Sequence, residues 1–192
     1  MVTALFELKL PGKGLERNHL FLLQNGKIID LQTHQIFSSH KDASAANIER
    51  LITELELRRK FEVNGKRFLV FQCGENNILK TTNRAEKKAD LRFQDPDLRK
   101  RFNRVLEDSN VILNPVHTKW GRFIDLSCRL FKFSEKRRCC FYCTQLEGNQ
   151  LANALKQPEK NTAQRAMRSR RLLVPYYTEK DHQDYLLQAY EI

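Results

Sequence analysis

Cysteine is scarce and odd in number. The five thiols are Cys73, Cys128, Cys139, Cys140 and Cys143. An odd set crowded into the second half of the chain is a poor basis for an extracellular disulfide framework and fits reduced thiols better. Glycine (7) and proline (5) are also few, while 41% of residues are hydrophobic and 30% charged. Collagen-like, low-complexity and wholly disordered readings are thereby excluded. No uncharged apolar run approaches the ~20 residues that span a bilayer, and the first residues lack the basic, apolar and small-residue order of a secretory signal. These absences set the expectation of a cytoplasmic protein that engages no membrane. With 192 residues the chain is long enough for one full domain with a short appendage, and one real core.

Acidic residues are the other shortage. Lys and Arg number 34 against 23 Asp and Glu, a net charge of +11, unevenly spread. Residues 1 to 79 hold 11 basic and 9 acidic groups, whereas residues 80 to 192 hold 23 basic and 14 acidic. Three clusters supply the excess: Lys80 to Arg104, Lys119 to Arg138, and Lys156 to Arg171. Arg165, Arg168, Arg170 and Arg171 crowd the last of these. Such clusters favour nucleic acid or another polyanion through counterion release and long-range steering. Solvated helix faces account for them equally well.

Local patterning yields an alternation of strands and helices. TALFELKL at 3 to 10 alternates apolar and polar residues before Pro11-Gly12, and so reads as a strand and a turn. Asn25-Gly26 between two apolar runs predicts a type I′ hairpin over 19 to 31. Ala43 to Lys60 places Ala46, Ile48, Leu51, Ile52, Leu55 and Leu57 at near-helical spacing. After a second Asn-Gly turn at 64 and 65, RFLVFQC is a buried strand ending near Cys73. Thr81 to Asp95 is weakly patterned and reads as a loop or a solvent-covered helix. Asp95-Pro96 opens a helix with Leu98, Phe102, Val105 and Leu106 on its apolar face. VILNPV and CCFYCTQL are further strands, Ile124 to Phe133 is helical or extended, and the pattern after Gly148, including Tyr185 to Tyr190, is helical. The expected architecture is α/β: a layered sandwich in which helices pack a mixed sheet. Residues 1 to 150 would form the domain, and 151 to 192 a basic helical extension packed on or beside it.

Several small motifs compete for chemistry. Cys140-Phe141-Tyr142-Cys143 has the spacing of half a zinc site, which Cys128, Cys139 and His117 could complete. Residues three apart in a strand face opposite ways, however, so burial is the preferred reading and no metal is expected. Glu7-Leu8-Lys9 matches the acid-x-lysine half of a metal nuclease site, but so short a match arises easily in a charged chain. Cys73 stands out by context. It closes an apolar strand and opens the polar turn Gly74-Glu75-Asn76-Asn77, where a thiol is presented beside backbone N–H groups able to stabilise an oxyanion. A buried core cysteine would fit the strand as well.

The residues around Cys73 resemble the nitrilase or carbon-nitrogen hydrolase superfamily. FLVFQCGE matches its strand ending in Cys, one residue, then an acid. RFNRVLEDSNVILNP, Trp120-Gly121-Arg122 and RRCCFYCTQLEG follow in the family's order, and NHLFLLQNGKIIDL resembles its upstream hairpin. The resemblance covers roughly residues 18 to 148. It implies a shortened nitrilase-like domain that needs no cofactor, with Cys73 as nucleophile toward an amide or nitrile carbon, forming a thioester. Glu7 in FELKLPG would be the base, and Glu75, Asn76, His117, Trp120 and Arg122 would line the pocket. The family's lysine would fall within Leu31 to Ile36, where Thr33, His34 and Gln35 stand and no lysine occurs. An inactive relative serving as an assembly subunit is therefore a further reading, with homo-oligomers in view. A non-catalytic nucleic-acid or polyanion binder using Arg165, Arg168, Arg170 and Arg171 is the alternative from another class.

Overall fold

A computed structural model describes residues 3–116, 123–136, 138–144, 164–168, 171–172, 177–181 and 185–189. Strands β1 (Thr3–Lys9), β2 (Asn18–Gln24) and β3 (Lys27–His34) form a small antiparallel sheet in that order. The expected hairpin joins β2 to β3, with Asn25 at φ 53° and Gly26 at φ 73°. Asparagine and glycine tolerate that left-handed pair of positions, whose twist suits the strands they connect.

The main sheet has six strands in the order β11-β10-β9-β8-β5-β4. It comprises β4 (Lys60–Val63), β5 (Lys66–Val70), β8 (Val111–Val116), β9 (Cys139–Thr144), β10 (Gln164–Arg168) and β11 (Arg171–Leu172). β5, β8 and β9 run parallel, and the outer pairings are antiparallel, so the sheet is mixed. Helices make the crossovers: α1 (Ala45–Leu57) precedes β4, α2 (Pro96–Glu107) links β5 to β8, and α3 (Phe123–Phe133) links β8 to β9. Asp95 caps α2 by accepting from the N–H groups of Asp97 and Leu98, both at 2.9 Å, with Pro96 in the first turn where no donor is required.

Strand alternation divides the sheet into two faces. Leu69, Ile112 and Cys140 occupy one row by register, and Phe71 shares their face. Phe71 stacks on Phe133 of α3 at 4.7 Å and meets Phe102 of α2 edge-on at 6.4 Å. Ile48, Leu51, Ile52 and Leu55 of α1 join this core. Gln72, on the opposite face, reaches the small sheet, donating to Glu7 of β1 and to the Asn18 carbonyl. The layers are therefore helices, main sheet and small sheet. Pro115 interrupts β8 without penalty because β5 pairs only as far as Leu113, where Phe71 N–H donates to the Leu113 carbonyl.

Three expectations are corrected. Residues 81 to 95 form neither a loop nor a helix throughout: β6 (Leu79–Asn83) and β7 (Lys88–Leu91) make an antiparallel hairpin. Its apolar row, Leu79, Ala89 and Leu91, is buried but sparse among charged neighbours, which hides the period of two. The described parts of the chain beyond residue 150 are strands rather than helices. Tyr185–Ala189 is β13, paired with β12 (Tyr177–Asp181), and β10 pairs with β9 and so carries the main sheet across the expected boundary. Residues 151 to 155 lie outside the described residues. No helix among the described residues is long and apolar enough to cross a membrane.

Candidate functional site

The chain leaves β5 at Val70 and turns sharply at Cys73, whose φ of 31° is in the left-handed region. A non-glycine residue there carries strain, which persists only where its surroundings hold it. A short 3₁₀ turn, Cys73–Ile78, follows at once. Gly74 is indispensable to the path: a Cβ at that position would lie 1.7 Å from the Ser38 carbonyl oxygen, part of a backbone that cannot yield. The turn lies beyond the carboxyl end of β5 in a parallel set, the region where open α/β sheets bind ligands.

Polar side chains surround this turn inside the protein. Asn114 of β8 donates through Nδ2 to the Phe71 carbonyl at 3.0 Å and to the Cys73 carbonyl at 3.2 Å, while its Oδ1 accepts from Asn76 Nδ2 at 2.6 Å. Arg129 of α3 donates through Nη1 to Asn76 Oδ1 and Asn77 Oδ1 at 2.9 and 2.7 Å. Burial, with Arg92 nearby, lowers the Arg129 guanidinium to about 10. Asn77 Nδ2 donates to the Gly74 carbonyl at 2.7 Å. Gln72 Nε2 donates to Glu7 Oε2 at 3.0 Å and to the Asn18 carbonyl at 2.9 Å. The Asn18 contact requires a donor and so fixes the orientation of the amide. The Gln72 side chain also faces the Glu75 N–H in a reciprocal capping box, with the Glu75 carboxylate accepting from the Gln72 N–H.

The structure links Glu7 to Gln72, the residue before Cys73, whereas Cys73 itself belongs to the hydrophobic core. Glu75 and Asn76 follow in the turn, and both are wholly enclosed. Glu75 accepts from the N–H groups of Ile36 (2.7 Å) and Gln72 (2.8 Å) and from Arg59, and Asn76 bonds Asn114 and Arg129. Their polar atoms hold the turn rather than open into space. His117, Trp120, Arg122 and Arg170 lie outside the described residues. Arg165 is on β10 and Arg171 on β11, while Arg168 donates from Nε to Cys139 Sγ at 3.1 Å.

Cys128 and Cys140 belong to the same hydrophobic core as Cys73. Cys128 and Cys140 are fully enclosed and Cys139 nearly so, and burial pushes the Cys128 and Cys140 thiols up. Cys73, Cys128, Cys139 and Cys140 are unbridged, and no metal-binding cluster occurs among the described residues. In the segment where the family's lysine would fall, the Thr33 hydroxyl accepts from Arg59 Nε at 2.8 Å.

Sequence reasoning did not find Arg59, Asn114, Gln72 or Gly74. Arg58-Arg59-Lys60 after a helix has the pattern of a solvated charge run, yet Arg59 is entirely buried. The only available signal was the Asn-Asn-rich turn beside VILNP, whose polar residues have no obvious place next to buried strands. The chain matches no family model, no curated protein and no solved structure.

Proposed function

We propose that this is a nitrilase-like domain and a cysteine-dependent hydrolase of carbon-nitrogen bonds. Cys73 is its nucleophile and Glu7 its proton carrier. The observation that carries the reading is the left-handed backbone at Cys73, at a strand-to-turn junction held by buried, hydrogen-bonded polar groups. A strand followed by a sharp turn places a side chain at the end of a sheet, and here that side chain is the buried Cys73, which substrate would reach only from the turn.

In the proposed reaction Glu7 takes the thiol proton and the Cys73 sulfur adds to the amide carbon. Collapse of the tetrahedral intermediate breaks the carbon-nitrogen bond, and the amine leaves with the proton from Glu7. Water then adds to the thioester, giving its proton to Glu7, and expels the thiolate with release of the acid. Gln72, next to Cys73 in the chain, holds the Glu7 carboxylate by a hydrogen bond of 3.0 Å. The missing lysine implies a weaker oxyanion site than the family resemblance would otherwise supply.

Iodoacetamide labelling with mass-spectrometric mapping tests the reading. Cys73 is expected to label ahead of Cys128 and Cys140, whose raised thiols are poor nucleophiles. Wild-type protein, but not Cys73→Ala, should release ammonia from a panel of simple amides or nitriles. Labelling of the other cysteines with Cys73 spared would overturn it.

A second reading, polyanion binding, is favoured by an open groove of about 480 Å³ beside α2, lined by Pro96, Arg99, Lys100, Asn103, Arg104 and Glu107. The available charge is less than the sequence suggests. Arg129 and Arg138 are buried, and Arg84, Arg99 and Arg101 are bonded to Asp125, Asp90 and Glu56. Gel shifts with DNA and RNA at low ionic strength should show complexes that dissociate steeply with salt and weaken in Lys100→Glu/Arg104→Glu. Absence of any complex would reject this reading.

A further inference from the structure

Arg59 and Glu75 form an ion pair with both side chains fully buried, Nη1 to Oε2 at 2.5 Å and Nη2 to Oε1 at 3.1 Å. Each partner also holds backbone or side-chain groups from other segments. Glu75 Oε1 accepts from Ile36 N–H, beyond β3, and Oε2 accepts from Gln72 N–H at the end of β5. Arg59, just past α1, donates through Nε to Thr33 Oγ1 and through Nη2 to the His34 carbonyl at 2.6 Å. The pair thus joins three segments, and its carboxylate grips the residue before Cys73 while lying two residues after it.

Stability alone gives little reason to keep such a pair, because apolar replacements of similar volume commonly match or exceed it. What an apolar pair would not reproduce is the directional hold on Gln72 N–H. That hold fixes the backbone entering the strained Cys73 turn, and it also fixes the origin of the Gln72 side chain, whose Nε2 bonds Glu7. We infer that Arg59 and Glu75 are positioning residues which, acting through Gln72, set the geometry and reactivity of the Cys73 thiol relative to Glu7. The inference rests on the reading of Cys73 as a nucleophile.

The test measures the iodoacetamide rate of Cys73 against pH in wild type, Arg59→Met/Glu75→Leu and Arg59→Lys, with folding checked by circular dichroism and cooperative melting. The folded double variant should react at least about tenfold more slowly, with its rate rising at higher pH, since placing a reacting group governs factors of this size. Arg59→Lys keeps the charge and should recover much of the rate. Should the double variant fail to fold, Thr33→Val, which removes only the acceptor of Arg59 Nε, should still slow labelling by about threefold. A folded variant with the wild-type rate and pH profile overturns this inference alone. An inert Cys73 in the wild type overturns the hydrolase reading and this inference with it.

Discussion

The end of β5 and the start of β9 each carry a buried cysteine of the same hydrophobic core, one in a left-handed turn beside polar side chains and one in a regular strand. Cys140 sits in a row with Leu69 and Ile112 under the helices, in ordinary strand geometry. Cys73 sits at a left-handed φ among Gln72, Glu75, Asn76, Asn77 and Asn114, all of them buried. Burial by itself therefore says nothing about a thiol's role. A core that only needed filling would have no use for so many polar groups, each of which must find a partner to offset its desolvation.

The contrast breaks most severely at Gly74. Gly74→Ala drives a methyl group into the Ser38 carbonyl and is expected to cost more than about 3 kcal/mol, or to prevent folding, as read by urea denaturation. Wild-type stability in that variant would mean that the turn at Cys73 is not held as described. A middling effect is expected when the two cysteines are exchanged for small residues. Cys140→Ser buries a hydroxyl among aliphatic side chains and should cost about 1–3 kcal/mol. Cys73→Gly relieves the left-handed strain and should remain within about 1 kcal/mol of wild type, despite losing a buried side chain. Equal losses at both positions would erase the distinction.

The smallest effect concerns pH. Burial, then the Arg50 guanidinium 2.7 Å from its Nε2, holds His34 below the usual histidine range. The folded state thus binds this proton less readily than the unfolded chain. His34 contributes stability that is present above the ordinary value of about 6.5 and is lost as pH falls through the lowered folded value. Melting temperature should decline slightly more between pH 7 and pH 5 in wild type than in His34→Gln. An identical decline would remove His34 from the account.

Much of the scaffold is legible locally. The Asn25-Gly26 hairpin, the Asp95-Pro96 helix start and the apolar stripes of α1 and α2 depend on φ preferences, capping and a period near 3.6, all of which act within a few residues. The β6–β7 hairpin was hidden because its alternation rests on Ala89 and Leu91 between charges. The strands beyond residue 150 were misread as helices because their partners lie elsewhere: β10 becomes a strand by pairing with β9.

At the site, Cys73 was singled out by its position at the end of an apolar run, a property of the sequence itself. The Gln72–Glu7 contact next to it spans 65 residues, and the Arg59–Glu75 contact spans 16. By itself the sequence determined which segments become helices and hairpins and where a thiol closes a strand, since short-range sterics and hydrophobic period suffice for that. Only the tertiary structure decided that Arg59 and Glu75 lie inside and that Gln72 faces Glu7. Whether a charge is buried depends on which distant groups arrive to hydrogen-bond it, and on the main sheet, whose two faces send Phe71 to the helices and Gln72 to the small sheet.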